Sequence, residues 1–150
     1  MKFSSVDEIL EYAIDKEQGA ADFYTDLAGR MEVEHMRDVF LGFAQEEMGH
    51  KKKLEAVKSG KKLISSEKRI LDLKVGDNLV DIEVSSNPTY QDALIVAMKA
   101  EKNAYRLYNS LADATDDADL KEGFLALAQE EAKHKLRFEV EYDDHILLEN

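Results

Sequence analysis

Residues 44–52 read AQEEMGHKK and residues 128–136 read AQEEAKHKL, so that one pattern returns 84 positions later. Each stretch contains Glu-x-x-His, formed by Glu47 and His50 in the first and by Glu131 and His134 in the second. A glutamate and a histidine three residues apart lie on the same side of an α-helix. The two stretches therefore predict two helices that each present one carboxylate and one imidazole together.

The repeat extends well beyond these two stretches. At an offset of 84 positions, residues 13–55 align with residues 97–139 without a gap, and the identical pairs include Ala13 with Ala97, Tyr24 with Tyr108 and Phe40 with Phe124. A period this long, present only twice, is not that of a solenoid. It predicts two helical hairpins that are built alike.

Apolar residues recur at helical spacing in four segments of roughly 25 residues. The first segment begins with a capping sequence at Ser5–Glu8, and the second spans about 33–59 with Gly60 as its predicted stop. The third begins near Pro88–Asp92, and the fourth follows the polar run Asp113–Asp119, which we interpret as a solvated loop with a helix cap.

The lengths of the connections predict the topology. Short turns make antiparallel hairpins of about 5–60 and 88–147, whereas the connection 61–87 is long enough to run back along a helix of roughly 38 Å. The expected fold is all-α and comprises one domain, residues 1–150. It is the ferritin-like four-helix bundle, with one long crossover between helices 2 and 3.

Ionisable residues interrupt the apolar stripe near the middle of every predicted helix. Burying an unpaired carboxylate costs several kcal/mol, and four carboxylates in one core also repel each other. Two divalent metal ions would carry +4 against the −4 of the carboxylates and leave the site neutral. The sequence therefore predicts a dinuclear metal site, whose residues are Glu17, Glu47, His50, Glu101, Glu131 and His134.

With this ligand set the chain resembles the rubrerythrin branch of the ferritin-like di-iron proteins. The resemblance implies terminal metal ligation by Glu17 and Glu101, bridging by Glu47 and Glu131, and one of the histidines His50 and His134 on each metal. It also implies two iron ions, although imidazole and carboxylate ligands serve manganese and zinc as well.

The sequence departs from rubrerythrins at two points. It contains no cysteine, so we expect no rubredoxin domain, and electrons would come from an external donor protein. Rubrerythrins carry an additional glutamate three residues after the third-helix ligand, and here that position is Ala104. The site therefore resembles the simpler, symmetric kind with six ligands.

Several residues near the predicted ligands have two interpretations. Tyr24 and Tyr108 lie two helical turns beyond Glu17 and Glu101 and are candidate catalytic residues, since each could hydrogen-bond a ligand carboxylate or serve as a one-electron donor. The alternative is that they are ordinary core aromatics. Glu46 and Glu130 could each hold a metal with a histidine four residues on, but their helical phase favours a solvated face. Tyr105 is expected to pack in the core, and the two remaining histidines, His35 and His145, to be exposed.

The net charge of −12 argues against nucleic acid and anionic membranes as partners. No apolar run has the length of a signal peptide or a membrane span, so a cytoplasmic protein is expected, as a homodimer. The predicted function is that of a di-iron oxidoreductase that reduces hydrogen peroxide or O2. The alternatives are an iron-binding protein or ferroxidase in iron handling, and a metal-stabilised interaction module without turnover.

Overall fold

The computed structural model describes residues 3, 5–61 and 87–147. These residues form four long α-helices, followed by a short π-helical turn at Asp143–Leu147. The all-α four-helix bundle predicted from the sequence is confirmed. Its helices are α1 Val6–Gly29, α2 Glu34–Lys61, α3 Tyr90–Ala114 and α4 Ala118–Tyr142.

Side-chain caps determine where three of the helices begin. The Ser5 side chain accepts a hydrogen bond from the Glu8 backbone N–H at the start of α1 (3.2 Å). At the start of α3, Thr89 and Asp92 form a reciprocal capping box. Asp117 accepts from the Leu120 N–H at the start of α4 (3.0 Å). Each cap satisfies a donor that the first helical turn leaves without a partner.

The structure corrects the predicted end of the second helix and the extent of one loop. Gly60 does not stop α2, which continues to Lys61; no residue in the described segments has a positive φ. A glycine inside a helix costs only about 1 kcal/mol relative to alanine, so it does not by itself end one. The polar run 113–119 is mostly helical, because α3 continues to Ala114 and α4 begins at Ala118.

Contacts across the bundle give the direction of each helix. Tyr24 of α1 reaches Glu101 of α3, and Tyr108 of α3 reaches Glu17 of α1, so these two helices are antiparallel. Because α1 and α2 form one hairpin and α3 and α4 the other, α2 and α3 run in the same direction. Two consecutive helices that run in the same direction require a crossover connection. The predicted connection 61–87 lies almost entirely outside the described residues.

Two apolar clusters fill the bundle, and a polar layer separates them. One cluster contains Leu10, Leu111 and Phe124, and the other contains Phe40 and Phe138. Tyr105 was predicted wrongly as a core residue, because it is 36% exposed. None of the helices in the described segments is long and apolar enough to cross a membrane.

Candidate metal centre

The polar layer consists of the six residues predicted as metal ligands. Every one of them is less than 5% exposed, although four are glutamates. They lie near the middle of the four helices. Their side chains point into the core because their positions continue the apolar stripe of each helix. The structure thus brings all six together: Glu17 from α1, Glu47 and His50 from α2, Glu101 from α3, and Glu131 and His134 from α4.

The side chains form two overlapping groups of four. One group comprises Glu17, Glu47, His50 and Glu131, and the other comprises Glu47, Glu101, Glu131 and His134. Within each group the potential ligand atoms all lie within 4.8 Å of one another. Because Glu47 and Glu131 belong to both groups, they occupy the positions from which a carboxylate could bridge two ions.

Both histidines present Nδ1 to the carboxylates. Nδ1 of His50 lies 2.8 Å from Oε1 of Glu131 and 3.3 Å from Oε1 of Glu47. Nδ1 of His134 lies 3.3 Å from Oε1 of Glu47 and 3.5 Å from Oε1 of Glu101. The two imidazole rings are nearly parallel, with an interplanar angle of 8° and centroids 5.5 Å apart. The arrangement is therefore nearly symmetric about the two shared carboxylates.

The donor atoms of this cluster fit a pair of metal ions. Among the described residues, the buried side-chain nitrogen and oxygen atoms without a hydrogen-bond partner all belong to these six residues, apart from one oxygen of Asp7. Buried polar atoms in folded proteins are nearly always hydrogen-bonded, so a concentration of unpaired ones indicates a site that binds a polar ligand or an ion. Carboxylate oxygens and imidazole nitrogens suit iron, manganese or zinc.

Without metal, protons must offset the buried negative charge. Burial, together with the neighbouring carboxylates of Glu101, Glu47 and Glu17, raises the pKa of Glu131 well above its usual range. Burial also raises the pKa of Glu101, and it raises that of Glu17 to about 7. These three carboxyl groups therefore tend to hold protons in the metal-free protein.

The pKa values of the two histidines are raised, although burial acts to lower them. Burial alone would lower the pKa of both imidazoles, but Glu17 and Glu47 raise that of His50 to about 9, and Glu101 and Glu47 raise that of His134 to about 10. Burial acts to raise the pKa of Glu47 as well, yet its contacts with His134 and His50 outweigh burial and lower it. In the metal-free cluster the two imidazoles therefore tend to be protonated, whereas Glu47 tends to be ionised.

The two buried tyrosines each donate a hydrogen bond across the bundle to a glutamate of the cluster. The Tyr24 hydroxyl donates to Oε1 of Glu101, and the Tyr108 hydroxyl donates to Oε1 of Glu17. Each tyrosine therefore contacts the glutamate of the opposite helix, because two turns separate it from the glutamate of its own helix. Burial raises the pKa of both hydroxyls well above the usual range, so both remain protonated donors.

Tyr24→Phe is expected to destabilise the protein by about 1–3 kcal/mol, because it leaves a buried carboxylate oxygen without its donor. Tyr108→Phe should cost a similar amount. The matched control is Tyr105→Phe, which alters an exposed hydroxyl and should change stability by less than about 0.5 kcal/mol. Urea denaturation of the three variants measures the effect, and equal changes in all three would contradict it.

Glu46 and Glu130, whose roles the sequence left open, both stay outside the two groups of ligand atoms. Glu46 is 42% exposed and pairs with Arg137 at 2.7 Å, while its Oε1 lies 3.6 Å from Nε2 of His134. Glu130 is also 42% exposed and lies 3.5 Å from Lys133. Glu46 therefore lies beside the His134 ring, close to Nε2 but beyond hydrogen-bond distance.

A small cavity reaches the cluster between α1 and α3. It has a volume of about 170 Å³ and touches Glu47 and Glu101. Its other lining residues are Ala20, Phe23, Tyr24, Ala100 and Ala104. The absence of a side-chain carboxylate at Ala104 thus leaves open space beside the predicted metal ligands.

One group of potential ligands was not predicted from the sequence. His35 and His145 are partly exposed as predicted, but they meet Glu141 at one end of the bundle. Helical periodicity could not reveal this group, because it combines the beginning of one helix with the end of another. The available signal was compositional: these are the only histidines of the sequence outside the repeated motif.

The proteins that this chain is similar to agree with the geometry of the cluster. A family model described as Rubrerythrin matches residues 8–142. A solved structure of a hypothetical protein from Pyrococcus furiosus is 25% identical in sequence, with a TM-score of 0.65, and the match covers 91% of this chain and 87% of that one. Comparison with curated proteins finds no match.

Proposed function

The chain belongs to the rubrerythrin family, and on that premise we propose that it is a non-haem di-iron oxidoreductase that reduces hydrogen peroxide or O2. The observation that carries the proposal is the pair of overlapping groups that share Glu47 and Glu131. Each group offers three carboxylates and one imidazole. When bound, two iron ions together would supply the two electrons that, with two protons, convert one hydrogen peroxide into two waters.

The protein's own side chains would supply the charge of the site and hold the charged groups in fixed positions. Four glutamates carry −4, which matches two divalent ions. The hydroxyls of Tyr24 and Tyr108 hold the terminal carboxylates of Glu101 and Glu17 in place. Because the apolar clusters cover both sides of the polar layer, they limit its contact with bulk water. Fixed ligands in a dry site are the protein's contribution to metal catalysis.

The cavity beside Ala104 supports a small substrate. Its volume of about 170 Å³ admits peroxide or O2, since a water molecule occupies roughly 30 Å³ in the liquid. It is small compared with the several hundred Å³ of typical sites for organic ligands. We therefore propose that the oxidant reaches the metals along this face of the bundle, between α1 and α3.

Electrons for further turnovers would come from a separate donor protein. The 150 residues contain no cysteine, so none of them can hold the cysteine-ligated iron of a rubredoxin domain. The test is to mix anaerobic, ferrous-loaded protein with peroxide or O2 in a stopped-flow spectrometer. We expect oxidation by both, and faster oxidation by peroxide. An unchanged spectrum over minutes with either oxidant would leave a metal-binding protein without this activity.

Ala104→Glu is expected to shift the absorption spectrum of the oxidised iron-loaded protein and to slow its formation. The new carboxylate enters the cavity beside Glu101 and competes with the oxidant for that space. Ala20→Glu should have a similar effect because Ala20 lines the same cavity. The control is Ala126→Glu, the same substitution on the exposed side of α4. Unchanged spectra and rates in both cavity variants would place the oxidant elsewhere.

Iron handling is the second candidate function, and the net charge of −12 favours it because an acidic surface attracts cations. A storage protein would assemble into a large shell, whereas we propose a homodimer. An exposed apolar stripe along α4, formed by Leu125, Leu136 and Val140, supports a modest interface. Light scattering after size-exclusion chromatography distinguishes the two assemblies directly.

A further inference from the structure

We propose that His35, Glu141 and His145 form a second metal site, which binds one divalent transition-metal ion such as Zn2+ at the end of the bundle. The site is separate from the buried cluster. Glu141 lies seven residues beyond His134 on α4, which corresponds to roughly 10 Å along the helix. The aromatic ring of Phe138 occupies the turn between them as part of an apolar cluster.

Both histidine rings direct Nε2 at the same carboxylate oxygen. Nε2 of His35 lies 2.7 Å from Oε1 of Glu141, and Nε2 of His145 lies 3.4 Å from it. All three potential ligand atoms lie within 4.8 Å of one another. A tetrahedral zinc site with bonds of about 2.0–2.1 Å separates its ligand atoms by roughly 3.3 Å. Small shifts of side chains would therefore admit the ion.

A buried tyrosine fixes the position of the carboxylate. The hydroxyl of Tyr90 donates to Oε1 of Glu141 at 2.5 Å, and Tyr90 itself is only 7% exposed. Its ring packs edge-on against Phe40 and against the ring of His145, with centroids 6.0 Å and 6.2 Å apart. Hydrogen bonds of this kind orient ligating carboxylates in metal sites. The group is therefore partly preorganised rather than a chance meeting of flexible side chains.

The site is open to solvent on its outer side. The side chain of His35 is 53% exposed and that of His145 is 39% exposed, whereas that of Glu141 is 19% exposed. The imidazole rings lie side by side, with centroids 5.0 Å apart. An ion can thus enter directly from solution. Two histidines and one carboxylate would leave one tetrahedral position for water.

The internal repeat shows that the fold does not require this group. The positions 84 residues away from His35, Glu141 and His145 are Asp119, Val57 and Lys61, which could not form the same site. The buried cluster, in contrast, is present in both halves. With this group, all four histidines of the sequence lie beside carboxylates in arrangements that can bind a metal.

The test is to count bound ions in the full-length protein and to measure their affinities. Wild-type protein saturated with Zn2+ and then passed through a desalting column should retain three ions per chain by elemental analysis, whereas His145→Ala and Glu141→Gln should each retain two. Isothermal titration should show that the third class of site weakens at least about 10-fold in each variant. Asp144→Asn, an exposed carboxylate next to His145, is the control and should retain three ions.

Two results would overturn the proposal. If wild-type protein and both variants retain the same number of ions, the three side chains form only an ion pair. If either variant loses more than one ion per chain, the residues support the buried centre and are not a separate site. Neither result depends on whether the buried centre reacts with peroxide.

Discussion

Removing the metal ions is expected to reverse the direction in which the stability of this protein changes with pH. In the metal-free protein the pKa values of Glu131, Glu101 and Glu17 are raised, that of Glu17 to about 7 from an unfolded value near 4.5. The folded state then holds more protons than the unfolded state between these pH values. Its free energy of unfolding therefore falls as the pH rises through this window.

The histidines extend the same trend to higher pH. The folded pKa values of about 9 for His50 and about 10 for His134 lie above the unfolded value of 6.5. Their contribution to stability is complete below pH 6.5 and is lost as the pH rises through 9 and 10. The lowered pKa of Glu47 acts below this range, since its contribution is lost only as the pH falls below 4.5.

The free energy of unfolding of the metal-loaded protein should instead rise with pH between pH 5 and 7. Metal ligands must be deprotonated, so that protons compete with the ions and acid weakens binding. With each ion at about 1,000 times its dissociation constant, binding adds about 4 kcal/mol per site. Two sites should therefore raise the melting temperature by about 15–30 °C at pH 7.5. The difference should shrink strongly at pH 5.

Scanning calorimetry at several pH values measures how the stability of the metal-free and loaded forms changes with pH. The contributions of surface groups cancel in the comparison because the two forms share one surface. Loading at pH 7 should also release several protons, from the two histidines and from the carboxyl groups of Glu131, Glu101 and Glu17. Titration calorimetry in buffers of different ionisation enthalpy counts them. Parallel pH profiles without proton release would show that the carboxylates do not share a buried site.

The second large effect distinguishes the two shared glutamates. In metal-free protein at pH 7, Glu131→Gln is expected to stabilise the fold by about 1–3 kcal/mol, whereas Glu47→Gln should destabilise it by about 3 kcal/mol. The raised pKa of Glu131 means that the folded protein keeps this carboxyl protonated at a free-energy cost, since it ionises in the unfolded chain, and glutamine removes this cost. Glu47 is ionised between two imidazolium groups, and removing it leaves both charges buried without their partner.

The pH dependence supplies a signature for each variant. The gain from Glu131→Gln should disappear as the pH approaches 4.5, where the wild-type carboxyl group protonates without cost. Glu130→Gln, the same substitution one residue earlier on the half-exposed face, is the control and should change stability by less than about 0.5 kcal/mol. Urea denaturation at pH 4.5 and 7 tests all three. Equal effects of the two core substitutions would mean that the site is symmetric in its protonation.

The position of the buried cluster could be predicted because it follows from local geometry. The phase of a residue on a helix depends only on the spacing along the chain. Glu17 and Glu101 stand in the apolar stripes of their helices, and the Glu-x-x-His motifs stand in the stripes of the other two. Four stripes that face one core bring these residues together in any antiparallel arrangement of the two hairpins.

The tertiary structure alone decided contacts that depend on how the helices are placed against each other. It paired Tyr24 with Glu101 and brought His35 to Glu141, because those partners lie on different helices and no spacing along the chain relates them. It also made Glu47 and Glu131 unequal, although the repeat makes them equivalent in sequence. The pKa of each depends on its burial and on every charge around it, and these follow from distances in three dimensions, which periodicity does not encode.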